Sequence, residues 1–235
     1  MKRIIPSVAS ANPLHLAEEI RAFPPSTTLH IDIEDGNFVN NITFGMRTVR
    51  AVADTFPEYP LCFHLMANHP EQYFDTLAAC GGEEVAVHFE TLAYPAETLC
   101  SIRQKGMKAG LAINLRTPVE QIAPFFEYVD FVLLMTAECS FGGTNGLGFC
   151  AASHERIKKM RALLPCDKEL WIDGAIDEME LAQCFALGAD AVVAGRLLFP
   201  EGVKKETGLR CISLPQEREV KSEELLCRLT EKYCR

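Results

Sequence analysis

Five side chains on three strand-like runs, His30, Asp32, Glu34, His64 and Asp173, are of the types that hold divalent cations and move protons. Over residues 29–35 the chain reads Leu-His-Ile-Asp-Ile-Glu-Asp. The alternation predicts a strand with Leu29, Ile31 and Ile33 on one face and His30, Asp32 and Glu34 on the other. Two further apolar runs end in one potential ligand each, Phe63-His64-Leu65-Met66 and Trp171-Ile172-Asp173-Gly174-Ala175. His30, Asp32, His64 and Asp173 make a set of two imidazoles and two carboxylates. These are hard-to-borderline donors suited to one divalent ion such as Zn2+, Mn2+, Fe2+ or Co2+. The competing reading is a buried hydrogen-bonded network without an ion. Ser7, just after Pro6, either orients a substrate group or forms a turn. His88 and Glu90 share a strand face and read as structural hydrogen bonding, while His15, His69 and His154 read as surface residues.

Glycines mark where an anion would sit. Phe141-Gly142-Gly143-Thr144-Asn145-Gly146, Gly174-Ala175 and Gly195-Arg196 each follow a late apolar run. Backbone N–H groups in such loops, at helix N-termini, are the ordinary means of holding phosphate.

The elements that must carry these residues alternate. Strand-like runs fall at 3–9, 28–33, 61–66, 84–89, 108–113, 128–135, 170–173 and 191–194, with helix-compatible stretches between them. Asn12-Pro13, His69-Pro70, Tyr94-Pro95 and Thr117-Pro118 supply helix starts, because proline takes the first turn without wasting a donor. Gly106 and Gly188 supply left-handed helix ends. Eight strand–helix units predict an α/β fold, a single (β/α)8 TIM barrel rather than an open doubly wound sheet. Chemistry then collects at the C-terminal ends of the strands. No boundary precedes residue 205, so residues 1–235 read as one barrel domain with 205–235 as a C-terminal helical extension, helix-compatible over 219–233.

Composition bounds the partners. The 235 residues carry 23 Lys+Arg against 32 Asp+Glu, a net charge of −9, which argues against a general grip on nucleic acid or an anionic membrane. No apolar run reaches the roughly 18 residues of a membrane helix. Met1-Lys2-Arg3 leads into a segment broken by Pro6, so neither a leader nor an anchor is expected, and the location expected is cytoplasmic. The ten cysteines show no CxxC spacing. They read as reduced thiols, each a small buried hydrophobe, with Cys139 the exception because it stands in a Gly-rich loop.

Taken together, Ile5-Pro6-Ser7, His30-Ile-Asp32-Ile-Glu34-Asp35-Gly36-Asn37-Phe38-Val39, His64-Leu65-Met66, Phe141-Gly142-Gly143, Ile172-Asp173-Gly174 and Ala194-Gly195 resemble the ribulose-phosphate 3-epimerases from about residue 4 to 199. The resemblance implies a metal-dependent isomerase, active in carbohydrate metabolism, that inverts C3 of a phosphorylated ketose through a cis-enediolate. It implies that His30, Asp32, His64 and Asp173 bind the metal and that Asp32 and Asp173 are also the acid/base pair. It further implies that Ser7 contacts substrate, that Met66 and Met135 shield the enediolate, and that the protein is a homo-oligomer. Glu34 stands where the family usually has Met, Ala175 where it has a second Gly, and Arg196 where it has Ser. With Glu138-Cys139-Ser140, these departures widen the implied substrate to ribulose 5-phosphate or a related pentulose or hexulose phosphate, while Ser10-Ala11-Asn12-Pro13-Leu14-His15 and Asn40-Asn41-Ile42-Thr43-Phe44-Gly45-Met46 resemble a divergent sugar-phosphate epimerase branch. They also leave open a non-catalytic sugar-phosphate binder or sensor on the same fold. Ala175 is expected to cost little if its backbone avoids the left-handed region. The orotidine and ketogulonate decarboxylases use an Asp-x-Lys-x-x-Asp motif, and the 29–35 run has no Lys.

Overall fold

Period-two alternation gives every strand two faces with different surroundings, and a sheet closed on itself turns one face inward. The computed structural model describes residues 2–138, 148–199 and 215–234. Its strands are β1 (Arg3–Pro6), β2 (Leu29–Asp35), β3 (Ile42–Thr43), β4 (Leu61–Met66), β5 (Gly82–His88), β6 (Lys108–Ile113), β7 (Phe131–Met135), β8 (Glu169–Asp173) and β9 (Ala191–Ala194). They lie in the order β1-β9-β8-β7-β6-β5-β4-β2-β3, parallel throughout except for β3. A parallel bridge between Ser7 and His30 joins the β1 end to β2 and closes the barrel. The (β/α)8 expectation holds.

The helices are α1 (Leu16–Arg21), α2 (Met46–Thr55), α3 (Phe74–Ala79), α4 (Pro95–Gln104), α5 (Ser153–Leu163), α6 (Glu178–Ala186) and α7 (Pro215–Tyr233). Leu29, Ile31 and Ile33 pack outward in one apolar layer with Ile20, Val49 and Leu77 of these helices. Cys62, Ala86, Ala112, Phe131, Leu133, Trp171 and Val193 form a separate inner cluster. Phe131 and Trp171 stack there with centroids 4.1 Å apart. Small neighbours make room for them, since a Cβ on Gly110 would stand 2.2 Å from the Phe131 ring. This aromatic plug is the floor on which the polar mouth rests.

Several local expectations are corrected. β1 ends at Pro6 rather than residue 9, because Val8–Ser10 coil into a 3-10 turn, and β7 begins at Phe131 rather than residue 128. The β6–β7 crossover is a 3-10 helix, Val119–Phe125, with Pro124 inside it. A proline there removes a helical donor and clashes with the preceding turn, which bars a regular α-helix. α1 starts at Leu16, not at Pro13, because the Asn12 carboxamide accepts from the Leu14 N–H at 3.0 Å and holds the chain in a turn. β3 is an unexpected antiparallel addition to β2. α7 begins at Pro215, four residues before the expected start. It lies against the barrel, with Leu226 and Leu229 in the core and the Ser222 hydroxyl donating to the Leu198 carbonyl at 2.9 Å.

The eight described cysteines are free, with Cys62 and Cys184 buried but Cys166 and Cys227 exposed, so burial is not their common property. Cys139 lies outside the described residues. His154 is half-buried rather than a plain surface residue, 3.0 Å from Glu180 and tilted against Phe149 with ring centroids 4.9 Å apart. No described helix is long and apolar enough to cross a membrane.

The barrel floor is sealed by charge. Arg3 lies over Trp171, 4.6 Å from the ring centroid, and pairs with Glu84 at 3.3 Å and Glu169 at 2.6 Å. Lys108 reaches the same Glu84 at 3.0 Å from a largely exposed position. Removing Arg3 therefore leaves the buried Glu84 carboxylate with only a largely solvated partner, whereas removing Lys108 takes away that exposed cation and leaves the Arg3 pair in place. Arg3→Ala is expected to lower unfolding free energy by about 3 kcal/mol, and Lys108→Ala by under about 1 kcal/mol. Urea unfolding curves check both, and equal losses would contradict the assignment.

Candidate metal centre

Each candidate ligand stands at its height in the mouth through strand register. β2 and β4 pair so that Asp32 lies beside His64, His30 beside Cys62, and Glu34 beside Met66. β7 and β8 pair Met135 with Asp173. The Thr136 hydroxyl donates to the carbonyls of Asp173 and Gly174 at 2.9 and 2.6 Å, which fixes the end of β8. Gly174 must be glycine, because its φ is +119° and a Cβ would stand 2.6 Å from the Ala137 nitrogen.

The structure brings all four together. His30 Nε2 lies 3.2 Å from Asp32 Oδ1 and 3.6 Å from Asp173 Oδ2. His64 Nδ1 lies 3.1 and 3.4 Å from the same two oxygens. With metal–ligand bonds of about 2.1 Å, adjacent donors of a tetrahedral or octahedral site are about 3.0–3.4 Å apart. The observed spacings, with all four donor atoms inside 4.8 Å of one another, fit a divalent cation. Both imidazoles are fully buried, and the two carboxylates carry the little exposure there is, 10% and 15% of their side chains.

Burial penalises charge on each of these groups, and their mutual contacts outweigh it. Both imidazoles are held above their ordinary value and both carboxylates below theirs. A cation would take the place of the imidazole protons. The Ser7 hydroxyl donates to Asp32 Oδ2 at 2.6 Å, so its described partner is a candidate ligand.

The other described sequence candidates are spread along the rim. Met66 and Met135 end β4 and β7 on the inward face, both 5% exposed. Gly195 follows β9 so close to Ser10 that a Cβ would stand 2.4 Å from its hydroxyl. Arg196 is exposed beside it. Gly142 and Gly143 lie outside the described residues. Glu34 is half-buried, held up by burial and by the Asp32 charge, and accepts from the Asn41 amide at 2.6 Å. Ala175 has φ +55°, so the low-cost expectation is corrected: this alanine occupies the left-handed region after all.

Three contacts were not expected. Cys62 Sγ lies 3.4 Å from His30 Nδ1. His88 and Glu90 do hydrogen-bond, at 3.2 Å, but His88 Nε2 also lies 2.8 Å from His64 Nε2. Phe38 packs on the far side of His88 with centroids 4.8 Å apart. Burial pushes His88 down to about 4, against the pull of Glu90. Glu90, despite burial, is brought down to about 2 by bonds from His88, the Thr117 hydroxyl and the Asn114 N–H. The pairing of β4 with β5, which sets His64 beside Ala86, two residues before His88, is the signal that would have found this contact.

Fold and site together define a (β/α)8 barrel with a two-histidine, two-aspartate centre in its mouth. The family profile described as the ribulose-phosphate 3 epimerase family matches residues 3–199, and the chain belongs to that family. A ribulose-phosphate 3-epimerase of Bacillus subtilis (strain 168) is 33% identical over 210 residues, covering 88% of this chain and 96% of its own. One from Synechocystis sp. is 35% identical over 229 residues, covering 91% and 95%. Among solved structures, a mutant tryptophan synthase alpha-subunit from Pyrococcus furiosus superposes with a TM-score of 0.69 at 16% identity, covering 96% of this chain and 98% of that one. That likeness concerns the fold alone.

An alanine in the left-handed region costs about 1–2 kcal/mol, part of which glycine returns through its freer unfolded chain. Ala175→Gly is accordingly expected to raise stability by roughly 0.5–1 kcal/mol. Thermal unfolding checks it, and a destabilised variant would contradict the strain.

Proposed function

We propose that this protein inverts C3 of a ketose phosphate, ribulose 5-phosphate or a related pentulose or hexulose phosphate, using Asp32 and Asp173 as the acid/base pair. The observation that carries the proposal is the convergence of two carboxylates, slightly open to the mouth, with two sealed imidazoles from β2, β4 and β8. His30, Asp32, His64 and Asp173 would hold the metal, with Zn2+, Fe2+, Mn2+ and Co2+ the candidates for this donor set. When bound, a divalent cation supplies Lewis-acid stabilisation of the negative charge that builds on the sugar oxygens.

The chain's own residues do the rest. One aspartate takes the C3 proton from one face, and the other returns a proton from the opposite face, so the direction of reaction decides which acts first. The Ser7 bond to Asp32 Oδ2 restricts that carboxylate to one orientation. Met66 and Met135 would cover the reacting carbons with apolar surface, which keeps water from the carbanion-like centre. Phosphate would be held by backbone N–H groups of Gly142, Gly143, Gly174, Ala175, Gly195 and Arg196. Family membership supports the sugar phosphate as substrate, and the relatives' names point to a pentulose phosphate. A homo-oligomer in the cytoplasm remains the expectation for the assembled enzyme.

The test is solvent-deuterium incorporation at C3, followed by NMR in ketopentose and ketohexose phosphates with metal-loaded protein. Exchange at C3 in one sugar is the expected result. No exchange in any, with metal verified as bound, would replace the proposal with a non-catalytic sugar-phosphate binder. Asp173→Asn is expected to lower turnover at least about a hundredfold while the barrel stays folded, and near-normal turnover would remove it from the pair. Arg196→Ser is expected to raise KM for the phosphorylated sugar more than it lowers kcat, since a phosphate contact is made equally in ground and transition states. An unchanged KM would place Arg196 outside the phosphate site.

A further inference from the structure

We propose that His88 and Glu90 form an outer hydrogen-bond relay that selects which nitrogen of His64 is offered to the metal. They are positioning residues, and the inference rests on the metal reading of the preceding section.

The chain of protons follows from the distances. His64 faces the centre through Nδ1, 3.1 Å from Asp32 Oδ1 and 3.4 Å from Asp173 Oδ2. Its other nitrogen, Nε2, lies 2.8 Å from His88 Nε2. Two ring nitrogens at that distance bond only if one carries a proton and the other a lone pair. A cation needs the lone pair of His64 Nδ1, so neutral His64 carries its proton on Nε2 and donates it outward. His88 Nε2 must then accept, which leaves the His88 proton on Nδ1. That atom lies 3.2 Å from Glu90 Oε2, an acceptor. Glu90 is itself fixed, because Oε1 accepts from the Asn114 N–H at 2.8 Å and from the Thr117 hydroxyl.

Every bond therefore runs from His64 to His88 to Glu90. In the opposite arrangement His88 carries its proton on Nε2 and forces His64 to carry one on Nδ1, pointed at the cation. The carboxylate of Glu90 favours the first arrangement, because it can only accept. His88 is fully buried between the ring of His64, 5.0 Å away centroid to centroid, and the ring of Phe38. The relay is thus held in place by packing. His30 is supported differently: its outer nitrogen meets the sulfur of Cys62 at 3.4 Å, a weak partner. His64 thus has its tautomer set by a charged group that acts through one intervening ring.

Long-range proton–nitrogen NMR of zinc-loaded protein, labelled with 15N at histidine, reads the tautomers directly. His64 is expected to be protonated on Nε2 and His88 on Nδ1, and a proton on His88 Nε2 would overturn the relay. Chelator competition with Zn2+ supplies the second readout. Glu90→Gln is expected to lower affinity roughly 10–100-fold, the usual effect of losing an outer partner of a metal histidine, and Glu90→Asp to recover part of it. His88→Gln keeps an acceptor for His64 and is expected to bind more tightly than His88→Phe. A role limited to packing would shift the melting temperature and leave Zn2+ affinity unchanged in the folded variants, which would also overturn the relay. If the unaltered protein binds no Zn2+, the metal reading itself fails. If it binds one and Glu90→Gln keeps that affinity, only the relay fails.

Discussion

The constraint on which this structure depends is that two fully buried imidazoles and two nearly buried carboxylates share one small volume inside a barrel. Such groups are costly to bury unless each finds a partner. Much of the mouth of the barrel serves to supply those partners. Ser7 serves Asp32, Cys62 serves His30, His88 and Glu90 serve His64, and Thr136 fixes the end of the strand that carries Asp173. The apolar inner cluster lies below, where Phe131 and Trp171 fill the space that water would need to reach the centre from beneath.

That arrangement also explains the segment after β2. Asp35 accepts from the N–H groups of Asn37 and Phe38 at 2.8 Å and from that of Asn68, also at 2.8 Å. It thereby pins the turn to the loop after β4. Gly36, at φ +72° and with Ile42 2.9 Å from where a Cβ would stand, is the residue that permits the turn. The consequence reaches the site: the turn delivers Phe38 onto His88 and Asn41 onto Glu34. A run that reads as sequence motif is thus a mechanical link between two strands and the outer partners of the centre.

The four candidate ligands were legible because strands alternate with a fixed period of two and parallel barrel strands present their ends at one rim. Asp32 beside His64 follows from that geometry once the strands are found. Less was legible where long-range contacts or backbone angles decide. The 3-10 crossover at Val119–Phe125 depends on Pro124, whose effect competes with a helical pattern around it. The two-residue β3 has too little sequence to announce itself. Ala175 gives no sign in its side chain of the φ it adopts. The contact between His88 and His64 depends on the register of β4 against β5, which spacing along the chain does not encode.

The central claim is that His30, Asp32, His64 and Asp173 together hold one divalent cation. An X-ray absorption spectrum of the zinc-loaded protein at the metal edge tests it most directly. The expected result is one Zn2+ per chain, a first shell of nitrogen and oxygen only, and outer-shell scattering from two imidazole rings. A sulfur at about 2.3 Å would instead make Cys62 or another thiol a ligand, and a single imidazole would remove His30 or His64 from the centre. Either result would contradict the site described here.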